Sequence, residues 1–234
     1  MSVKKELSIA HQIISILGMD DLTYTHVSCR SDFDHFFISP FGLLYEEVNE
    51  ENLVNLSLDG EVSEDSDYKI FSPTGLLVHS AIYKTRSDIN SVIHLHTNAT
   101  IAVSVMKSGL LPLSQHALHF YDKVSYHDYD SMLLDEKTQA KKIADDLGKN
   151  NVMFLRNHGF ITCGKTVQEA LFYAYHLERA SVIQTMVLQS VEDYILPNET
   201  ICKKACDDLL SFESDLGRRD WDAWVRKINR MKNK

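Results

Sequence analysis

The sequence predicts an α/β fold in one domain, and three observations carry that prediction. Short apolar runs at residues 92–95 and 152–155 have the length of buried strands and end at polar or turn residues. Longer stretches between such runs repeat their apolar residues at helical spacing. The 234 residues, 44% hydrophobic and 24% charged, are enough for one sizeable core.

The elements follow in order. Residues 4–17 carry Leu7, Ala10, Ile14 and Leu17 on a helical period, with Gly18 as a C-cap. Residues 22–30 read as a strand and 32–35 as a turn. Phe36-Phe37-Ile38-Ser39 returns as a second strand, broken by Pro40-Phe41-Gly42. Asn49 is placed to cap a short helix through Leu53. Asp59-Gly60, between Leu56-Ser57-Leu58 and Glu61-Val62, is a hairpin signal, and residues 64–67 read as an acidic, solvated loop. Ser72 as N-cap and Pro73 at the first helical position open a helix with Leu76, His79 and Tyr83 on one face. A further helix covers residues 99–106 and ends before Gly109.

Residues 112–129 keep neither period and read as a loop. With His116, His119, Tyr121, Tyr126, His127, Asp128 and Tyr129, that loop is either the lining of a site or ordinary surface. Residues 135–147 form an amphipathic helix closed by Gly148. Thr166-Val167-Gln168-Glu169 is a capping box opening a helix to about residue 189. Its Ala170, Ala174, Leu177, Ala180 and Ser181 suit close packing on a sheet. A last helix carries Trp221, Trp224, Val225 and Ile228 on one face.

Composition removes several function classes. A net charge of −9 disfavours nucleic acid as a partner. Residues 218–234 hold seven basic and two acidic side chains, which leaves −14 on the rest. That basic segment reads as the solvated face of the last helix, with an acidic partner or membrane surface as the alternative. No apolar run is long enough to span a membrane, and the first residues lack a signal-peptide core, so a cytoplasmic protein is expected. Cys29, Cys163, Cys202 and Cys206 are too few and scattered for a disulfide framework. Cys202 and Cys206 read as packing residues.

The chemistry centres on His94-Leu95-His96. On a strand, residues two apart share a face, so His94 and His96 project together while Ile93 and Leu95 pack. His158 ends a second strand beside Gly159, well placed to complete a site built by the first. Three neutral imidazoles with an open fourth position describe a catalytic zinc site.

Pro73-Thr74-Gly75, His79-Ser80-Ala81-Ile82-Tyr83, His94-Leu95-His96-Thr97 and Arg156-Asn157-His158-Gly159 together resemble the class II aldolase/adducin family. Ser39-Pro40-Phe41-Gly42-Leu43-Leu44-Tyr45, Gly109-Leu110-Leu111-Pro112 and Ser125-Tyr126-His127-Asp128-Tyr129 look like its adducin branch. The resemblance implies a three-layer α/β/α fold with a central, mainly antiparallel sheet. It implies a family domain over residues 1–195, with 196–234 as a helical extension of the same domain. It also implies a divalent metal, zinc before manganese or iron, on His94, His96 and His158. Family enzymes commonly form homotetramers, and the aromatic last helix offers a surface for a neighbour.

The departures from the family's aldolases shape the functional expectation. Those enzymes carry an acid/base glutamate four residues before the histidine matching His79; here the position is Gly75. Their phosphate-binding Gly-Asn pair is matched by Thr25-His26, and a second phosphate position by Phe41. Ser28, Ser39, Gly42, Ser72 and Thr74 remain as substrate hydrogen-bonding candidates, and His79, Tyr126 and His127 as acid/base candidates. The expected activity is lyase chemistry, carbon–carbon cleavage or decarboxylation through a metal-stabilised enolate, on a small hydroxy-carbonyl or keto-acid substrate. The alternatives are a non-catalytic adducin-like module of the cytoskeletal type and a non-haem iron oxygenase on the same fold.

Overall fold

The computed structural model describes residues 1–64, 66–130, 138–190 and 193–233. Seven strands form one sheet: β1 His26–Arg30, β2 His35–Ile38, β3 Val54–Ser57, β4 Ser91–Leu95, β5 Val124–His127, β6 Val152–Leu155 and β7 Gly159–Gly164. Their order is β3-β2-β1-β4-β7-β6-β5, and every pairing is antiparallel except β5 with β6. Helices cover both faces, which gives the three-layer α/β/α fold.

Alternation along the strands decides which face each residue serves. Val27, Ile93, Leu95, Phe154 and Phe160 pack with α1 (Val3–Ile16), α6 (Val167–Ser190) and α8 (Arg218–Lys232). Phe36, Ile38, Val92, Met153 and Ile161 pack with α2 (Pro73–Thr85) and α5 (Thr138–Leu147). Helix α2 starts as the sequence indicates: Ser72 Oγ accepts from the Gly75 N–H at 3.2 Å, with Pro73 in the first turn. In α6, Ala170, Ala174, Leu177, Ala180 and Ser181 are buried. Between β4 and β6 lie α3 (Asn98–Ser104) and the single turn α4 (Gln115–Leu118), and α7 (Glu199–Ser211) precedes α8.

Several expectations need correction. No helix follows Asn49. Its Oδ1 accepts from the Glu51 and Asn52 N–H groups, while Asn52 Oδ1 accepts from the Asn49 N–H. These side-chain bonds hold a turn in place of a helix. The only helical segment nearby is a 3-10 turn at Tyr45–Glu47. The stretch 112–129 is not one loop, because it contains α4 and strand β5. Ser66 in the expected solvated loop is buried, accepting from the Asn55 N–H and donating to Tyr68 O; residue 65 lies outside the described residues. The expected helix start at 135 also lies outside them, and α5 is described from Thr138. Trp221 is only 2% exposed and Trp224 packs beside it, so this chain covers the aromatic face assigned to a neighbour. No described helix is long and apolar enough to cross a membrane.

Candidate metal centre

Strand β4 delivers two histidines and the β6–β7 turn a third. His94 sits on the α2/α5 face, and His96 follows just beyond the strand end. His94 Nδ1 donates to Phe160 O at 2.9 Å, and His96 Nδ1 donates to Asp21 Oδ2 at 3.1 Å. Both protons are therefore on Nδ1, and both Nε2 lone pairs are bare. Those Nε2 atoms lie 2.9 Å apart. Two bare acceptors at that distance repel unless a cation or proton stands between them. His158 completes the group, the three ligand atoms lying within 4.8 Å of one another. The donor set fits a divalent ion with an open coordination position.

Local backbone geometry makes the third ligand possible. Asn157 takes a left-handed φ of 60°, and its N–H donates to Ser104 Oγ at 3.1 Å. Arg156 donates to the carbonyls of Ser104 and Met106. Gly159 then passes so close to β4 that a Cβ would lie 2.4 Å from Leu95 O and 2.9 Å from His96 Cδ2. Glycine is required there for His158 to reach the β4 histidines.

Burial, then the neighbouring imidazoles, pushes the His94 pKa well below its ordinary value; the same causes bring His158 down to about 4. Both rings are therefore neutral near pH 7, the form a metal binds. Beside them opens a cavity of about 280 Å³, lined among others by Tyr24, His26, Thr74, His127, Tyr129 and Asn157. A larger cleft, about 750 Å³, lies at the other end of the strands around Arg30, Phe33 and Lys165. Among the described residues, His94, His96 and His158 are the only group of three or more His, Cys, Asp or Glu side chains arranged to hold an ion, so the smaller cavity is the candidate site.

The other sequence candidates divide. His127 lines the cavity, Nδ1 held by Asp146 Oδ2 at 2.7 Å, and its Nε2 is buried without a hydrogen-bond partner. Thr74 also lines it. Tyr126 is not brought to the histidines, because alternation along β5 turns it to the opposite face. There its ring stacks on Phe154 under Arg156, and its OH accepts from the Leu110 N–H at 2.9 Å. Ser39 is buried among His11 and the Val27 backbone, and Ser72 is engaged as the α2 cap. Gly42, at φ 91°, lies on an exposed turn outside the cavity lining. His79 and Ser28 are buried behind the cavity wall.

His26, noted from sequence only as part of the Thr25-His26 pair matching the family's phosphate-binding Gly-Asn, also lines the cavity. It pairs with His94 in the β1–β4 register, and the two ring centroids are 4.9 Å apart. A Cβ at position 75 would lie 2.9 Å from His26 Cδ2, so the imidazole fills the space beside Gly75. Only the register of two strands distant in sequence reveals this; the one local signal was His26-x-Ser28 on one strand face. Asp21, in the segment before β1, was equally invisible. His116, His119 and His176 form a separate cluster between α4 and α6, away from the cavity.

The family model described as "Class II Aldolase and Adducin N-terminal domain" matches residues 5–185. The chain belongs to the class II aldolase and adducin N-terminal domain family. A Pseudomonas aeruginosa protein provisionally named a class 2 aldolase is 34% identical over 231 residues, 97% of this chain and 88% of that protein. Mouse alpha-adducin is 40% identical over 189 residues, covering 79% of this chain but 25% of the adducin. The crystal structure of an aldolase II superfamily protein from Pseudomonas syringae superposes with a TM-score of 0.91 at 35% identity, covering 98% of this chain and 92% of that one. The fold expected from the resemblance is thereby shown.

Proposed function

We propose that this class II aldolase-family protein is a metal-dependent lyase acting on a small hydroxy-carbonyl or keto-acid substrate. The observation that carries the reading is the convergence of two bare Nε2 atoms and His158 beside the cavity. A bound divalent ion, zinc by preference, would stabilise negative charge developing on a substrate oxygen. The chain's own residues do the rest. Asp146 orients His127, whose Nε2 makes no hydrogen bond, lies 3.7 Å from Asp130 Oδ1 and is placed to exchange a proton with substrate. Thr74 offers a hydroxyl at the start of α2, and Tyr24 and Tyr129 line the cavity while keeping large exposed surfaces.

The family's acid/base glutamate has no counterpart at Gly75, and Thr25-His26 and Phe41 stand where its aldolases bind phosphate. Sugar phosphates are accordingly poor substrates in this reading. The homotetramer of the family's enzymes is part of the proposal and rests on that likeness alone. Identity to alpha-adducin supports a second reading, an adducin-like module without turnover. The test is a screen of zinc-, manganese- and iron-loaded protein against sugar phosphates, 2-keto acids and hydroxy-carboxylates. The lyase reading expects cleavage or decarboxylation of a non-phosphorylated compound, reduced about 10²-fold or more in His127→Ala. Turnover only with iron and oxygen selects the oxygenase, and no turnover with any metal favours the adducin-like module.

A further inference from the structure

His26 is the terminus of a buried hydrogen-bond chain that starts at Tyr83. His26 Nδ1 lies 2.8 Å from His79 Nε2, and His79 Nδ1 lies 2.5 Å from Ser28 Oγ. Ser28 Oγ in turn lies 2.8 Å from Tyr83 OH. None of the four side chains is more than 4% exposed, and neither ring joins an ion pair among the described residues.

The direction of the chain follows from where the Tyr83 proton can go. Among the described residues, its only acceptor besides Ser28 is Asn90 O at 3.5 Å, a carbonyl that already accepts from the Arg30 N–H at 2.8 Å. A hydroxyl bond is normally about 2.7–2.8 Å, so the phenol donates to Ser28. The Ser28 proton is then free for His79 Nδ1. His79 must carry its own proton on Nε2 and donates it to His26 Nδ1. His26 Nδ1 is therefore an acceptor, and a neutral His26 ring holds its proton on Nε2. That nitrogen has no protein partner among the described residues, and the ring lines the cavity.

We propose that the Tyr83–Ser28–His79 chain fixes His26 as an Nε2–H donor to a substrate oxygen at the candidate metal centre, in the space beside Gly75. The proposal rests on the lyase reading for its substrate, a carbonyl or carboxylate compound. A neutral imidazole N–H stabilises negative charge on such an oxygen, as an oxyanion-hole donor does. It does not remove a proton from carbon, so the site differs in kind from one with a carboxylate at this position. Tyr83, Ser28 and His79 act as positioning residues through His26. The opposite tautomer would leave a bare Nε2 and make His26 a base or a fourth ligand.

The test is a long-range proton–nitrogen correlation spectrum of protein labelled with ¹⁵N-histidine at pH 7, metal-free and with zinc. His26 is assigned from a His26→Gln sample. The expected spectrum shows His26 with a pyrrole-like Nε2 and a pyridine-like Nδ1. Addition of zinc should move the Nε2 signals of His94 and His96 and leave the His26 pattern in place. Ser28→Ala should collapse the His26 pattern towards mixed tautomers, and Ser28→Thr should restore it. A pyridine-like Nε2 on His26, or its shift into the zinc-bound class, overturns the proposal. The spectrum of the unmodified protein decides the tautomer, so a Ser28 variant that fails to fold leaves the test intact. Zinc binding by His94 and His96 is read in the same sample, so failure of the metal reading is seen separately.

Discussion

Gly159 shows how one missing side chain can hold a candidate metal centre together. It lets β7 approach β4 closely enough for Leu95 O to sit where a Cβ would be. In Gly159→Ala, β4 and β7 have to move apart just where His96 and His158 meet. Overpacking of this kind costs about 1–3 kcal/mol. The expected outcome is a lower urea midpoint together with weaker zinc binding. Unchanged zinc affinity would show that the close approach is not what positions His158. At this scale the candidate metal ligands were legible, since His94 and His96 need only strand alternation and His158 a strand end beside glycine. His26 was not, because its partners Gly75, His79 and His94 come from two other elements.

Among the elements, α6 and α8 show what packing adds to periodicity. The last helix was readable from Trp221, Trp224, Val225 and Ile228, but its aromatic face could equally have met another chain. In the fold Trp221 is buried in the core shared by α1 and α6. Trp221→Ala should cost about 3–5 kcal/mol, as a large buried aromatic does. Thermal unfolding checks this; a loss below about 1 kcal/mol would mean that α8 is not anchored by this contact. Strand β5 illustrates the opposite failure. It is four residues long, only His127 in it is fully buried, and it joins the sheet edge by parallel pairing to β6. A short, half-exposed edge strand carries too little pattern to separate it from a loop. Missing it left Tyr126 and His127 apparently side by side, whereas the pleat sends them to opposite faces.

For the whole molecule, buried neutral histidines set the pH response. Burial brings His11 down to about 4, and burial with His119 and His116 nearby brings His176 down to about 3. The unfolded chain takes up protons at these residues near pH 6.5, while the native state does not. Between those values the unfolded state binds more protons, so native stability falls as pH falls. At pH 5.5 each histidine should cost the native state about 1 kcal/mol relative to neutral pH. Urea midpoints of metal-free protein at pH 7.0 and 5.5 test this, and His176→Phe should reduce the difference, leaving the part due to His11. An identical loss between the two pH values in both proteins would contradict the assignment. The three-layer arrangement itself was legible from the family motifs, and its outcome is to gather the ends of β1, β4 and β6 around one cavity. Whether that cavity holds a metal decides the functional reading. The most direct measurement is elemental analysis of freshly purified protein beside a His94→Ala/His96→Ala double variant. The expected result is about one divalent metal per chain in the first and essentially none in the second. Equal metal content in the two proteins would contradict the assignment of His94, His96 and His158 as the metal ligands.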